Sequence, residues 1–87
     1  MENLDMEKLE LKYPLRWSYS IIGLDENDMR AAAKFAVGEK EHSITKSNRS
    51  SGGKYISMKL ELIVDDEAER FAIFELLKHD KAVKMVL

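Results

Sequence analysis

Residues 50–64 read SSGGKYISMKLELIV. Two folds hang on this stretch. If Ser-Ser-Gly-Gly-Lys wraps a phosphate, a helix must follow and the chain binds a nucleotide. If it is a turn, a strand follows and the sheet is antiparallel. A phosphate loop needs G-x-x-x-x-G-K-[ST] between a strand and a helix, so that backbone N–H groups and the helix dipole meet the anion. Here Tyr55 follows Lys54, and the first glycine of that spacing is missing. The residues beyond it alternate. Ile56, Met58, Leu60, Leu62 and Val64 fall on one side; Tyr55, Ser57, Lys59 and Glu61 fall on the other. A period of two marks a strand. Ser50–Gly53 is therefore turn chemistry, and Lys54–Val64 the clearest strand of the chain.

Upstream of the turn, HSITKSNR at 42–49 alternates weakly and is polar, with Ile44 its one large apolar residue. It predicts an edge strand, which Lys46 and Arg49 guard against pairing with other chains. Further back, RWSYSIIG at 16–23 puts Trp17, Tyr19 and Ile21 on one face and Ser18, Ser20 and Ile22 on the other. It predicts a half-buried strand that Gly23 ends. Between these strands, Asp25–Gly38 predicts a helix. Asp25 can cap its N-terminus, Asp28 suits the dipole, and Gly38 can stop it. Met29, Ala32, Ala33, Ala36 and Val37 make one apolar stripe, rich in alanine, so the helix can lie close to a sheet.

Downstream, Asp65–His79 predicts a second helix, opened by Asp65-Asp66-Glu67 and buried along Ile73, Phe74 and Leu77. Phe71 and Leu76 widen its apolar surface on either flank. AVKMVL at 82–87 predicts a last strand, with Val83, Met85 and Leu87 inward. The order is strand, helix, strand, strand, helix, strand. Two right-handed crossovers joined by a hairpin give an α+β fold, the ferredoxin-like βαββαβ plait: a four-stranded antiparallel sheet with both helices on one face. Residues 1–12 form an N-terminal tail that Tyr13-Pro14 ends, and residues 13–87 a single domain.

The totals fit this. Eighty-seven residues suit one domain with a modest core. Fourteen basic and 16 acidic residues give a net charge of −2, a poor footprint for DNA. With no cysteine, disulfides, thiolate catalysis and Cys-ligated metals are excluded. The acidic start MENLDMEKLE resembles neither a signal peptide nor a membrane span, so a cytoplasmic location without membrane partners is expected.

Four pieces of this chain resemble the YbeD-like family of small bacterial proteins of unknown function. They are Tyr13-Pro14, WSYSIIG ending in Gly23, the hairpin SSGGKYIS and the closing VKMVL. The resemblance runs from about Leu9 to Leu87, and the alanine-rich first helix departs from it most. It implies a plait similar to ACT-type regulatory domains, which bind small ligands, often amino acids, at subunit interfaces. The family has no assigned catalytic residues to carry over.

The plait hosts several activities, so function must come from sites. An acylphosphatase-type anion trap needs an electropositive loop after the first strand. Here that loop is GLDENDMR, whose Asp25, Glu26 and Asp28 repel phosphate. An RNA-recognition sheet stacks bases on exposed aromatics of its central strands. Tyr55 alone is left for that role, because Trp17 and Tyr19 share the apolar face of Ile21. His42 and His79 stand far apart and outside any ligand-spaced cluster. The Asp65–Glu67 run caps a helix more readily than it holds a cation. No residue set calls for a catalyst, a metal or a cofactor.

Two surfaces and one loop remain. Lys46, Arg49, Lys54 and Lys59 gather around the hairpin beside Tyr55 and Ser57. Phe71 and Leu76 flank the second helix. Solvation and the core margin account for both surfaces, while a partner protein is the functional reading. The expected function is that of a non-enzymatic regulatory or adaptor module. The alternative is an ACT-like domain whose loop at Gly23, Asp25 and Asp28 meets a small metabolite such as an amino acid. RNA is the least favoured partner. A second copy could add to the final strand if that strand is a sheet edge, giving a homodimer.

Overall fold

A computed structural model describes residues 11–47 and 53–87. The predicted order holds: β1 (Leu15–Gly23), α1 (Glu26–Val37), β2 (His42–Lys46), β3 (Ile56–Val64), α2 (Glu67–His79) and β4 (Val83–Val86). The strands form one antiparallel sheet in the order β2-β3-β1-β4. The chain is a ferredoxin-like βαββαβ plait.

Register decides which side chains reach the core. β1 and β3 pair along their whole length, from Leu15 opposite Val64 to Gly23 opposite Ile56. This aligns Tyr19 with Leu60 and Ile21 with Met58 on the inner face. Both helices cover that face with the predicted stripes. Met29, Ala32, Ala33, Ala36 and Val37 come from α1, and Ile73 and Leu77 from α2, with Phe74 packed at the margin. The opposite face carries Ser18 against Glu61 and Ser20 against Lys59. A slip of one residue would exchange the two sets, which is why alternation specifies this register.

The helix ends follow local chemistry. Asp25 accepts the Asp28 N–H at 2.9 Å, and Asp66 accepts the Glu69 N–H at 2.8 Å. Each satisfies one of the orphan donors of a first turn. Gly38 ends α1 at φ 71° and ψ −130°, a positive-φ conformation that glycine alone adopts readily, with its N–H on the Lys34 carbonyl. Gly23 serves a different purpose. It is buried, and a Cβ there would collide with the Ala82 carbonyl and lie 2.9 Å from Met29 Sδ. The missing side chain lets β1, α1 and the approach to β4 meet.

One expectation fails at β4. Val83 is buried, but Met85 is 52% exposed and Leu87 70% exposed. The register shifts between Ile22 and Gly23: Val83 pairs with Gly23, Met85 with Ile22 and Val86 with Ile21. One extra residue in β4 breaks the alternation, as a bulge does. Val86 rather than Met85 therefore packs against the core. β4 is a sheet edge, but a short and bulged one, and its pairing ends where Leu87 meets Ser20.

Candidate functional site

A groove opens beside that shortened edge. It runs between α2 and the first half of β1, has a volume of about 410 Å³, and is lined by Trp17, Tyr19, Arg70, Phe71, Phe74, Glu75 and Leu87. Trp17 and Tyr19 reach it because they share the inner face of β1, and Phe71 and Phe74 because they lie three apart on α2. Phe71 is 51% exposed at its mouth.

Arg70 organises the groove. Its guanidinium lies 4.6 Å from the Trp17 ring centre and 4.7 Å from that of Phe71, and both rings attract the cation. Its Nε donates to the Tyr13 hydroxyl at 2.9 Å, and Nη2 lies 4.0 Å from Glu67. The Arg70 side chain is only 17% exposed. Its carbonyl accepts the Tyr19 hydroxyl at 2.6 Å. Burial pushes the Tyr19 phenol up to about 12, against a smaller opposing pull from the Arg70 charge. The phenol therefore stays protonated at neutral pH and cannot act as a base. The groove sets apolar walls beside one cation, Arg70, with Glu75 also in its lining.

The sequence-predicted site residues fall elsewhere. Asp25 is committed to its cap, and Gly23 is closed in by Ala82 and Met29. Asp28 lines a second groove, of about 520 Å³, with Ala31, Ala32, Phe35, Asp80, Lys81 and Ala82. Among the described residues, the hairpin cations do not make one patch. Lys46 stands opposite Met58 on the helix side of the sheet and pairs with Glu26 at 3.5 Å. Lys59 faces the other side, 3.7 Å from Glu61, with Ser57 on its own face. Lys54 Nζ sits 5.6 Å from the ring centre of exposed Tyr55. Arg49 and most of the turn, residues 50–52, lie outside the described residues. Phe71 lines the Arg70 groove and Leu76 does not, so the two flanks of α2 are separate surfaces.

Two features escaped the sequence. Arg70 gave no signal, because its partners Tyr13 and Tyr19 stand 57 and 51 residues away. Phe35, 69% exposed, did give one: a large aromatic off the alanine stripe of α1.

A third arrangement is structural. Lys40 Nζ donates to the Ile63 carbonyl and to Glu69 Oε1, each at 2.7 Å, and lies 3.3 Å from Asp65. It ties the α1–β2 connection to the start of α2. Lys40 holds the Glu69 carboxyl below the usual glutamate range, with help from the Asp65 N–H, and Glu69 raises Lys40 in turn. Among the described residues, no group of three His, Asp or Glu side chains stands within reach of one metal ion. No described helix is long and apolar enough to cross a membrane.

Comparison with known proteins agrees with the sequence resemblance. Residues 8–87 match the family described as protein of unknown function (DUF493). The uncharacterized protein Cj0253 of Campylobacter jejuni is 35% identical over 71 residues, 79% of each chain. The solution structure of HP0495 from Helicobacter pylori superposes with a TM-score of 0.80 at 21% identity, covering 100% of this chain and 96% of that one. The ACT domain of a GTP pyrophosphokinase from Chlorobium tepidum superposes with a TM-score of 0.59 at 16% identity, covering 84% and 95%. At those identities the two structures share the fold alone.

Proposed function

The chain belongs to the DUF493 family, the YbeD-like proteins of unknown function, and on that premise we propose that it is a non-enzymatic regulatory or adaptor module that docks a partner protein in the Arg70 groove. One observation carries this reading. Exposed Phe71 and Leu87 frame a cleft whose one cation, Arg70, lies between two aromatic rings. Large aromatics and arginine are the residues that dominate protein interfaces. Capture from a cell lysate tests it. Wild type and Phe35→Ser should retain the same partner, and Phe71→Ser should lose it. Equal capture by all three would sink the reading.

The second groove favours a small metabolite as the alternative. Asp28 and Lys81 offer opposite charges beside the apolar wall of Phe35. This is the ACT-like reading, transferred from a fold neighbour. A thermal-shift screen of amino acids and common metabolites should raise the melting temperature if a ligand binds there. A flat response, or a response that survives Phe35→Ser, would remove it.

A further inference from the structure

We propose that the uncovered half of β1 accepts an extended segment of a partner protein as an added strand, with the pattern apolar, any residue, apolar, acidic. The proposal rests on the docking reading above and names the partner's chemistry.

Ser20 and Leu87 exchange both main-chain bonds: Ser20 N–H to the Leu87 carbonyl at 3.3 Å, and Leu87 N–H to the Ser20 carbonyl at 2.8 Å. In an antiparallel ladder such pairs recur at every second residue. Ser18 and Arg16 therefore turn their N–H and C=O groups to the same side of β1 as Ser20. Pairing with β4 stops at Leu87, and β3 fills only the other side of β1. Four main-chain groups are left with no partner among the described residues. An open lane of this kind is what β-strand addition uses.

The two formal edges are poorer acceptors. On β2 the Ile44 carbonyl already accepts Arg30 Nη1 at 3.3 Å, and Lys46 is drawn to Glu26. β4 is four residues long and bulged. Both are ways in which sheets blunt an edge. The lane beside Arg16 and Ser18 has neither protection.

Register then specifies the guest. A strand antiparallel to β1 and in line with β4 runs from Tyr19 towards Arg16. Its residues opposite Ser18 and Arg16 exchange main-chain bonds. Its residues opposite Tyr19 and Trp17 send their side chains to the helix side, into the groove walled by Phe71 and Phe74. Those two positions call for apolar residues. The position opposite Arg16 lies on the open face. There the Arg16 side chain is 66% exposed and 3.8 Å from Glu61, so a carboxylate makes the favoured cross-strand pair.

Nuclear magnetic resonance on the full chain tests this with synthetic hexapeptides, acetylated and amidated. The probe is Leu-Thr-Leu-Glu-Ser-Ser, whose first residue lies opposite Tyr19, just beyond Leu87. One control replaces Glu with Lys, and the other replaces Thr with Pro, which removes the N–H that must bond Ser18. In the free protein, the Arg16 and Ser18 amides should exchange quickly and the Tyr19 and Ile21 amides slowly. The probe should slow Arg16 and Ser18 about tenfold or more and shift the Trp17 indole signal. The Lys peptide should bind about fivefold more weakly, and the Pro peptide should give no protection. Phe71→Ser should weaken the probe about tenfold.

Protection by the Pro peptide, or shifts confined to β2, would overturn the proposal. So would Arg16 and Ser18 amides already protected in the free chain. That result would mean the lane is filled by the chain's own residues 1–10, which include Leu4-Asp5-Met6-Glu7, or by a second copy. The two readings fail separately. If the peptides fail while lysate capture still depends on Phe71, the strand chemistry falls and the docking reading stands. If capture ignores Phe71, the docking reading falls.

Discussion

The Tyr19 hydroxyl donates to the carbonyl of Arg70, 51 residues away, at 2.6 Å. This bond joins the middle of β1 to the first turns of α2 and fixes the residue that walls the groove. Removing it with Tyr19→Phe should cost about 1 kcal/mol and lower the midpoint of thermal unfolding by about 4–8 °C. The phenol is also a pH probe. Its folded pKa of about 12 lies above the ordinary 10.0. Its contribution is therefore complete below pH 10 and is lost as pH rises from 10 towards 12. Denaturant melts at pH 8 and 11 should show that loss in wild type, and a smaller one in the Phe variant.

Glu69 sets the behaviour in acid. Its folded pKa lies below the unfolded value of 4.5. The stabilisation is present above that value and drains away as pH falls through the folded pKa. Glu69→Gln should cost on the order of 1 kcal/mol at pH 7, because the amide oxygen can still accept from Lys40 but no longer carries the charge that pairs with it. The variant and wild type should converge as pH falls from 4.5 through the lowered folded pKa. Unfolding midpoints in urea across pH 3–7 would show a constant gap if the tie has no ionic part.

Two glycines should respond differently to alanine. Gly38→Ala places a side chain at φ 71° in open space, so the cost is backbone strain alone, about 1–3 kcal/mol. Gly23→Ala drives a methyl group into the Ala82 carbonyl and Met29. Its cost should reach about 2–3 kcal/mol and fall first on β4. Amide exchange should show Val86 and Leu87 loosened in Gly23→Ala and intact in Gly38→Ala.

Phe71→Ser and Leu60→Ala separate surface from core. Phe71 is half exposed and packs on the Arg70 guanidinium, so its loss should cost only about 1 kcal/mol. Leu60 is fully buried between β1 and β2, and its truncation should cost about 3 kcal/mol or more. A large stability loss in Phe71→Ser would show that the groove wall belongs to the core.

The fold was legible because local and global signals agree. Ile56 to Val64 alternate and pair as alternation requires, and Asp25 and Gly38 bound α1 as their chemistry predicts. β4 was misread at Met85 and Leu87 because a bulge is a property of pairing, and nothing in VKMVL marks it. The hairpin cations looked like one patch in sequence. Pairing puts Lys46 and Lys59 on opposite faces, a separation visible only once β2 is aligned with β3. The Arg70 groove was hidden for a related reason: every contact that builds it is distant along the chain.

The alanines of α1 also set where this chain can change. With Ala33 and Ala36 buried in the core, a larger residue at either position would overpack it, at a cost of about 1–3 kcal/mol. The open rim at Phe71 carries no such constraint. Enlargement on the α2 flank can thus be absorbed at the surface, while the α1 side holds its helix close to the sheet.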